Sequence, residues 1–310
     1  MDVPQTVLLH TRQAVLRGVD PRRPTSGFIR VRHGTYVTRE EWETSGKDRR
    51  YALYVRATVE TMKVSAPLAR ESAAVVLGLP VIGDWPRVMH VLEEAGAGGR
   101  SSAHVVRHGT RFPPDVLLVD GVAVTSVART VVDLGRVRSF ASALASADHA
   151  LRNGMVTREA LEAEVERLAG TRGIRRARAV VEHADGRSES VGESLSRAQV
   201  ITLDLPMPVL QKEFVDDRGF VGRTDFWWPR LRLVGEFDGK VKLGRALGGD
   251  EAATREALWR EKLREDRLRR LGNGVVRWTW AQALDRATFA RLMSGAGVVP
   301  LRAGGRAERG

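Results

Sequence analysis

Arg223-Thr-Asp225-Phe-Trp-Trp228, followed by Leu233-Val-Gly-Glu236-Phe-Asp238-Gly-Lys240, decides the reading of this chain. Both stretches have the composition of β-strands, with Pro229-Arg230 turning between them. Glu236, Asp238 and Lys240 are spaced by two, so an extended strand sets all three on one face. Acids converging on one face of a sheet repel each other and contribute nothing to an apolar core. A divalent cation held by those carboxylates would offset the repulsion.

The flanking sequence supplies a frame. A helix runs from Ser188 to about residue 203 and carries Glu193 near its start. Pro206-Met-Pro208 separates it from a strand over 209–215, and Asp216-Asp-Arg-Gly219 turns into the strand that ends at Trp228. The third strand covers 231–238. A charged helix follows over approximately 250–271, Gly272-Asn-Gly274 closes it, residues 275–280 form a fourth strand, and a last helix covers about 281–293. Glu256/Arg260, Glu265/Arg269 and Asp266/Arg270 are i,i+4 pairs suited to an exposed helix. Trp227, Trp228, Trp278 and Trp280 lie on strands, where tryptophan serves the core or stacks on bases.

This α-β-β-β-α-β order, with an acid in the first helix, Asp225 on the second strand and Glu236-Phe-Asp238-Gly-Lys240 on the third, resembles the PD-(D/E)xK restriction-endonuclease-like superfamily, closest to its very-short-patch-repair-type domains. The resemblance covers about 190–290. It implies Mg²⁺ or Mn²⁺ held by Glu193, Asp225 and Glu236, with Asp238 as a further ligand or a partner for Lys240. Asp225, Glu236 and Lys240 would then carry catalysis, the lysine orienting water or neutralising charge in the transition state. Phosphodiester hydrolysis needs a polarised phosphoryl oxygen and a hydroxide-like nucleophile, and a carboxylate-bound metal provides both. The motif departs from the superfamily at one point: Asp238 stands where the lysine is normal, and Lys240 comes two residues later. Lys262 and Arg267 on the charged helix are alternative sources of positive charge, and both are candidate nucleic-acid contacts.

In the N-terminal half, 6–17 reads as a short helix and 27–37 as a β-hairpin around His33-Gly34, with Arg30, Arg32 and His33 on its tip. Helices are expected over 49–63 and 65–78, and strands over 87–92, 103–107 and 115–124, the last with an Asp120-Gly121 turn. Thr125 or Ser126 caps a helix on which Arg129 and Asp133 form a surface i,i+4 pair, and Thr157 caps another. The segments Arg32-His-Gly-Thr-Tyr-Val37, 70–80 and 124–134 resemble actinobacterial AbiEi-like type IV antitoxin-domain proteins over about 1–155. That resemblance implies a winged helix before a mixed α/β domain, DNA binding, and a cognate toxin as possible partner. Pro21 and Pro24 leave hardly any room for a full recognition helix between Gly18 and Phe28.

The expected architecture is thus a multidomain α/β (α+β) chain. A reduced winged-helix-like unit covers 1–48, a mixed α/β domain 49–155, a helical linker 156–187, and an endonuclease-like domain with a mixed central sheet 188–295. A flexible tail covers 296–310. The net charge of +12 over 310 residues favours a polyanionic partner, although an arginine-rich composition also produces it. With no cysteine, disulfides, zinc–thiolate sites and thiol nucleophiles are excluded. A Walker A loop, a Gly-x-Ser-x-Gly elbow and a His-x-x-x-His pair are absent. No apolar run approaches a membrane span and no signal peptide is recognisable, so the expected location is the cytoplasm. The two functions that follow are a metal-dependent DNA endonuclease and a non-catalytic DNA-binding regulator or antitoxin.

Overall fold

The computed structural model describes residues 8–16, 18, 20–23, 25–61, 66–97, 99–239 and 251–300, with backbone only at 251–254 and 257. The chain divides into two compact units. Unit 1 comprises Met1–Ser146 and Gly154–Glu182, and unit 2 comprises Ala147–Asn153 and His183–Gly310.

Unit 1 opens with a three-stranded antiparallel sheet, β1 (Leu9–His10), β2 (Phe28–Arg32) and β3 (Thr35–Thr38), in the order β1-β3-β2. Gly34 turns the hairpin at φ +76°. Helix α1 (Thr11–Leu16) has only six residues, and the described residues between it and β2 form turns. The short α2 (Arg39–Thr44), capped by Thr38, leads to α3 (Lys47–Thr61), whose Leu53 and Ala57 pack with Leu8 and Val37.

The helix expected over 65–78 is shorter: α4 spans Arg70–Val76. The preceding residues serve a sheet instead. Leu68 bridges β4 (Met89–Glu94) and β7 (Val122–Thr125), its N–H donating to the Ala123 carbonyl and its carbonyl accepting from Thr125. Strand β5 (Val105–Thr110) pairs parallel with β4, and β6 (Val116–Val119) forms the expected hairpin with β7. Asp120 and Gly121 both take positive φ, 49° and 77°, as a tight primed hairpin turn requires.

Ser126 caps α5 (Val127–Val137), and α6 (Phe140–Arg152), α7 (Arg158–Arg167, capped by Thr157) and α8 (Ile174–His183) follow. The Arg129–Asp133 pair expected on the surface of α5 is buried, at 1% and 3% side-chain exposure. Arg129 donates to Asp133 at 2.9 Å and to the Phe112 carbonyl at 2.9 Å, and lies 3.5 Å from Glu164. The i,i+4 spacing is the same for a buried as for an exposed pair. What buries this one is the packing of α5 among α4 and α7.

Unit 2 contains the expected helix, three-stranded meander, long helix and fourth strand, but the fourth strand ends at Thr279, Trp280 opens a helix rather than ending that strand, and two helices stand where one was expected. Its elements are α9 (Val191–Thr202), β8 (Val209–Asp216), β9 (Gly219–Trp228), β10 (Leu233–Asp238), α10 (Glu251–Arg270), β11 (Gly274–Thr279), α11 (Trp280–Leu284) and α12 (Arg286–Gly295). The sheet order is β11-β10-β9-β8, with β10 and β11 parallel and the other pairs antiparallel. Trp228 and Trp278 are core residues at 2% and 1% exposure. Their indole N–H groups donate to the Pro206 carbonyl and to Ser196 Oγ, both at 2.7 Å. Gly235 lies between them, and a Cβ there would meet Trp278 Cη2 at 2.7 Å and Trp228 Cζ3 at 2.8 Å. Midway along α9, Arg197 forms a buried ion pair with Asp148 at 2.6 Å that ties the Ala147–Asn153 segment to that helix.

Candidate functional site: an acid cluster under arginine control

Each of the three carboxylates in unit 2 is positioned by backbone already described. Ser190 is the N-cap of α9 and accepts from the Glu193 N–H. Glu193, three residues on, accepts from Ser190 Oγ and from the Glu189 N–H, both at 2.8 Å. Gln211 on β8 donates to the same carboxylate at 2.8 Å.

Asp225 projects from β9, and its Oδ2 accepts from the Phe237 N–H at 2.8 Å. Burial pushes its carboxyl up to about 7, and the negative charges of Glu193 and Glu236 push the same way, against the Phe237 N–H and Arg264. Asp225 therefore holds its proton through much of the acidic range.

Glu236 on β10 is 8% exposed. Its two oxygens are taken by two arginines: Arg264 of α10 at 2.5 Å from Oε1, and Arg277 of β11 at 2.9 Å from Oε2. Arg277 is the parallel-register partner of Glu236. Arg264 also bonds Glu261 at 2.7 Å, and Arg277 bonds Glu261 and lies 3.3 Å from Glu265. Burial alone would make these guanidiniums easier to deprotonate; their bonds to Glu261 and Glu236 overcome it and hold both firmly charged. Charge-assisted bonds of this kind are about twice as strong as neutral ones.

The fold thus brings Glu193, Asp225 and Glu236 into one electrostatic neighbourhood. Asp238 ends β10, half-buried, and Lys240 lies outside the described residues. The donor set as folded does not fit a divalent cation. Glu236 gives both oxygens to arginines, and Glu193 gives both to O–H and N–H donors. Among the described residues no group of three or more His, Asp or Glu side chains is arranged to hold a metal ion. Arg264 and Arg277 supply the compensating charge, and neither was singled out in the sequence because nothing local marks them.

The expected nucleic-acid contacts are distributed over both units. In unit 1, Arg30 is exposed on β2 and Arg32 half-buried beyond a bulge in the same strand. In unit 2, Lys262 is exposed, with Nζ 5.8 Å above the Trp259 ring. Arg267 is engaged within its own unit. It bonds Asp216 at 2.5 and 2.8 Å and the Gly219 and Phe220 carbonyls, fastening the β8–β9 turn to α10, and these bonds hold the Asp216 carboxyl down at about 2. Arg267 also lines an open groove of about 480 Å³, together with Arg218, Arg260, Arg264, Arg270 and the acid Asp266. The sequence reading did not single out Arg218, and it treated Arg260 and Arg270 only as members of helix pairs. Among the described residues no helix is long and apolar enough to cross a membrane.

Comparison with known proteins places these units in context. The chain is 36% identical over 147 residues to two uncharacterized proteins of Mycobacterium tuberculosis, MT2308 of strain CDC 1551 / Oshkosh and Rv2248 of strain H37Rv. The aligned region is 44% of this chain and 54% of each relative, so the chain spans about half the length of the curated relatives it matches. The crystal structure of the RV2827C protein from Mycobacterium tuberculosis superposes with a TM-score of 0.37 at 15% identity, over 69% of this chain and 85% of that one. The model of the AbiEi antitoxin C-terminal domain matches residues 14–183, a stretch that ends where unit 1 ends and leaves the acid cluster outside it. That match covers more than half of the sequence, and the chain belongs to the AbiEi antitoxin C-terminal domain family.

Proposed function

We propose that this chain is a DNA-binding regulator or antitoxin in which unit 2 is a non-catalytic platform derived from a nuclease-like arrangement. The observation that carries this reading is the double arginine clamp on Glu236, with Arg264 and Arg277 each holding one oxygen. A carboxylate so engaged serves the interior of unit 2 rather than a metal. The net charge of +12 and the groove carrying Arg218, Arg260 and Arg270 support contact with phosphates. The antitoxin family supports a regulatory setting and a toxin as protein partner. The test is DNA binding by fluorescence anisotropy across a salt series, on the intact chain and on Arg218→Ala/Arg270→Ala. Affinity that falls steeply with salt, with a smaller salt slope in the variant, supports the reading. Salt-independent binding, or none at low ionic strength, overturns it.

The second reading is a Mg²⁺- or Mn²⁺-dependent endonuclease, with Glu193, Asp225, Glu236 and Asp238 as ligands and Lys240 assisting. The convergence of negative charge on Asp225 favours it, because a bound cation would relieve that strain. It requires Glu236 to exchange at least one arginine for the metal. Cleavage of DNA that depends on Mg²⁺ or Mn²⁺, and is lost in both Asp225→Ala and Glu236→Ala, would establish this second reading.

A further inference from the structure

Strand β6, Val116-Leu117-Leu118-Val119, leaves one edge of unit 1 open. It pairs with β7 on one side, and on the other it has no hydrogen-bond partner among the described residues. The hairpin register fixes which groups are left over. Val119 lies opposite Val122 across the Asp120-Gly121 turn, and Leu117 lies opposite Val124; these are the pairs that exchange bonds with β7. The Ser126 N–H, donating to the Asp115 carbonyl, continues the same alternation. The N–H and C=O groups of Val116 and Leu118 therefore point away from β7. The far edge of β7 agrees: Leu68 bonds to Ala123 and Thr125, the residues opposite Leu118 and Val116.

The side chains of this edge are as open as its backbone. Leu118 is 76% exposed, Val116 52% and Leu117 40%. Soluble proteins guard such an edge with a charge, a bulge or a proline. No charge occurs between Asp115 and Asp120, and the β6–β7 register runs without a bulge.

We propose that β6 pairs antiparallel with β6 of a second copy of this chain, about a two-fold axis through Leu117. Self-complementarity sets the register. With Leu117 opposite Leu117, Val116 of each copy faces Leu118 of the other, and the outward N–H and C=O groups of both residues are satisfied in both copies. Leu117 meets Leu117 on one face of the new sheet, and Val116 meets Leu118 on the other, so these opposed side chains are all apolar. Asp115 falls opposite Val119 rather than another acid. The next outward pair would set Asp120 against Pro114, which has no N–H to give, so the ladder ends there. An edge of four residues buries far less than the roughly 1,200–2,000 Å² of a standard interface, so the dimer is weak and reversible. The pairing lies in unit 1 and stands or falls independently of the reading of unit 2.

The test is sedimentation equilibrium of the full chain over a concentration series reaching about 0.3 mM, the range in which weak contacts form. Single-cysteine variants accompany it, since the chain has no cysteine of its own. The mean mass of the parent should rise with concentration. Leu118→Lys changes an exposed side chain, so it should keep the melting temperature of the parent and stay monomeric. In the proposed register the two Leu117 Cα atoms form a non-hydrogen-bonded pair about 4.5 Å apart, within disulfide reach, whereas the two Leu118 Cα atoms lie on a diagonal of about 7–8 Å, beyond it. Leu117→Cys should therefore oxidise to a disulfide dimer about tenfold faster than Leu118→Cys. A mass that does not change with concentration would overturn the proposal and leave the edge to a strand of a different protein. Dimerisation of Leu118→Lys as strong as that of the parent, equal cross-linking of the two cysteine variants, or a marked loss of stability in Leu118→Lys would overturn it too, the last by showing the edge to be covered within the chain.

Discussion

Replacing Asp225 by Asn tests whether the acid cluster is a protonated, arginine-compensated interior. Asn keeps the acceptor for the Phe237 N–H. What it removes is the charge that the fold disfavours. Asp225 rises from 3.8 to about 7 on folding, and each pH unit is worth ~1.36 kcal/mol, so the effect has an upper limit of about 4 kcal/mol. Residual contact with water reduces this to ~2 kcal/mol. The sign follows from which form the fold prefers. The native state favours the protonated carboxyl, so the contribution to stability is complete below 3.8, is lost as pH rises towards 7, and stays lost above it. Asp225→Asn escapes that loss. It should match the parent near pH 4 and exceed it by ~2 kcal/mol near pH 8. Urea denaturation followed by the fluorescence of the unit 2 tryptophans reads the difference. A variant less stable than the parent near pH 8, or a difference that does not change with pH, would refute the reasoning.

Three further outcomes follow from packing and ion pairs. Arg129→Met strips buried Asp133 and Glu164 of a shared partner and should destabilise unit 1 by about 3 kcal/mol, since Arg136 and Arg167 remain for the two acids. Equilibrium unfolding measures this, and a change under about 1 kcal/mol would show the pair to be dispensable. Gly235→Ala drives a methyl into Trp278 and Trp228 and should cost about 1–3 kcal/mol with a shift in tryptophan emission; unchanged emission and stability would contradict the packing described. Ser196→Ala leaves the buried Trp278 N–H without its acceptor and should cost about 1–3 kcal/mol by the same denaturation assay.

Much of this architecture was legible because it depends on local chemistry. Asp120-Gly121, Ser126, Thr157 and the run of strands and helices in unit 2 follow from turn residues, caps and period. The helix expected from Ser65 failed at its start because Leu68 is claimed by two strands distant in sequence, a tertiary demand that propensity does not express. The acids of the candidate site were visible as a spacing on a strand face. Their compensation was not. Arg277 reaches Glu236 through the register of a parallel pair, and Arg264 through the docking of a long helix, and neither has a local signature. The same limit hid the His90–His108 contact, a diagonal pair on two parallel strands, two residues from direct opposition. Nor did the sequence show that Arg267, on the charged helix, is bonded by a turn acid and two carbonyls.

We propose that unit 2 binds DNA without cutting it. The most direct measurement compares DNA affinity and DNA integrity for the intact chain in EDTA, Mg²⁺ and Mn²⁺ at one fixed ionic strength. The expected result is DNA that stays uncut in all three and an affinity that changes only through screening by the divalent ions, equally in the parent and in Glu236→Gln. Cleavage products that appear with Mg²⁺ or Mn²⁺ and vanish in Glu236→Gln would contradict it.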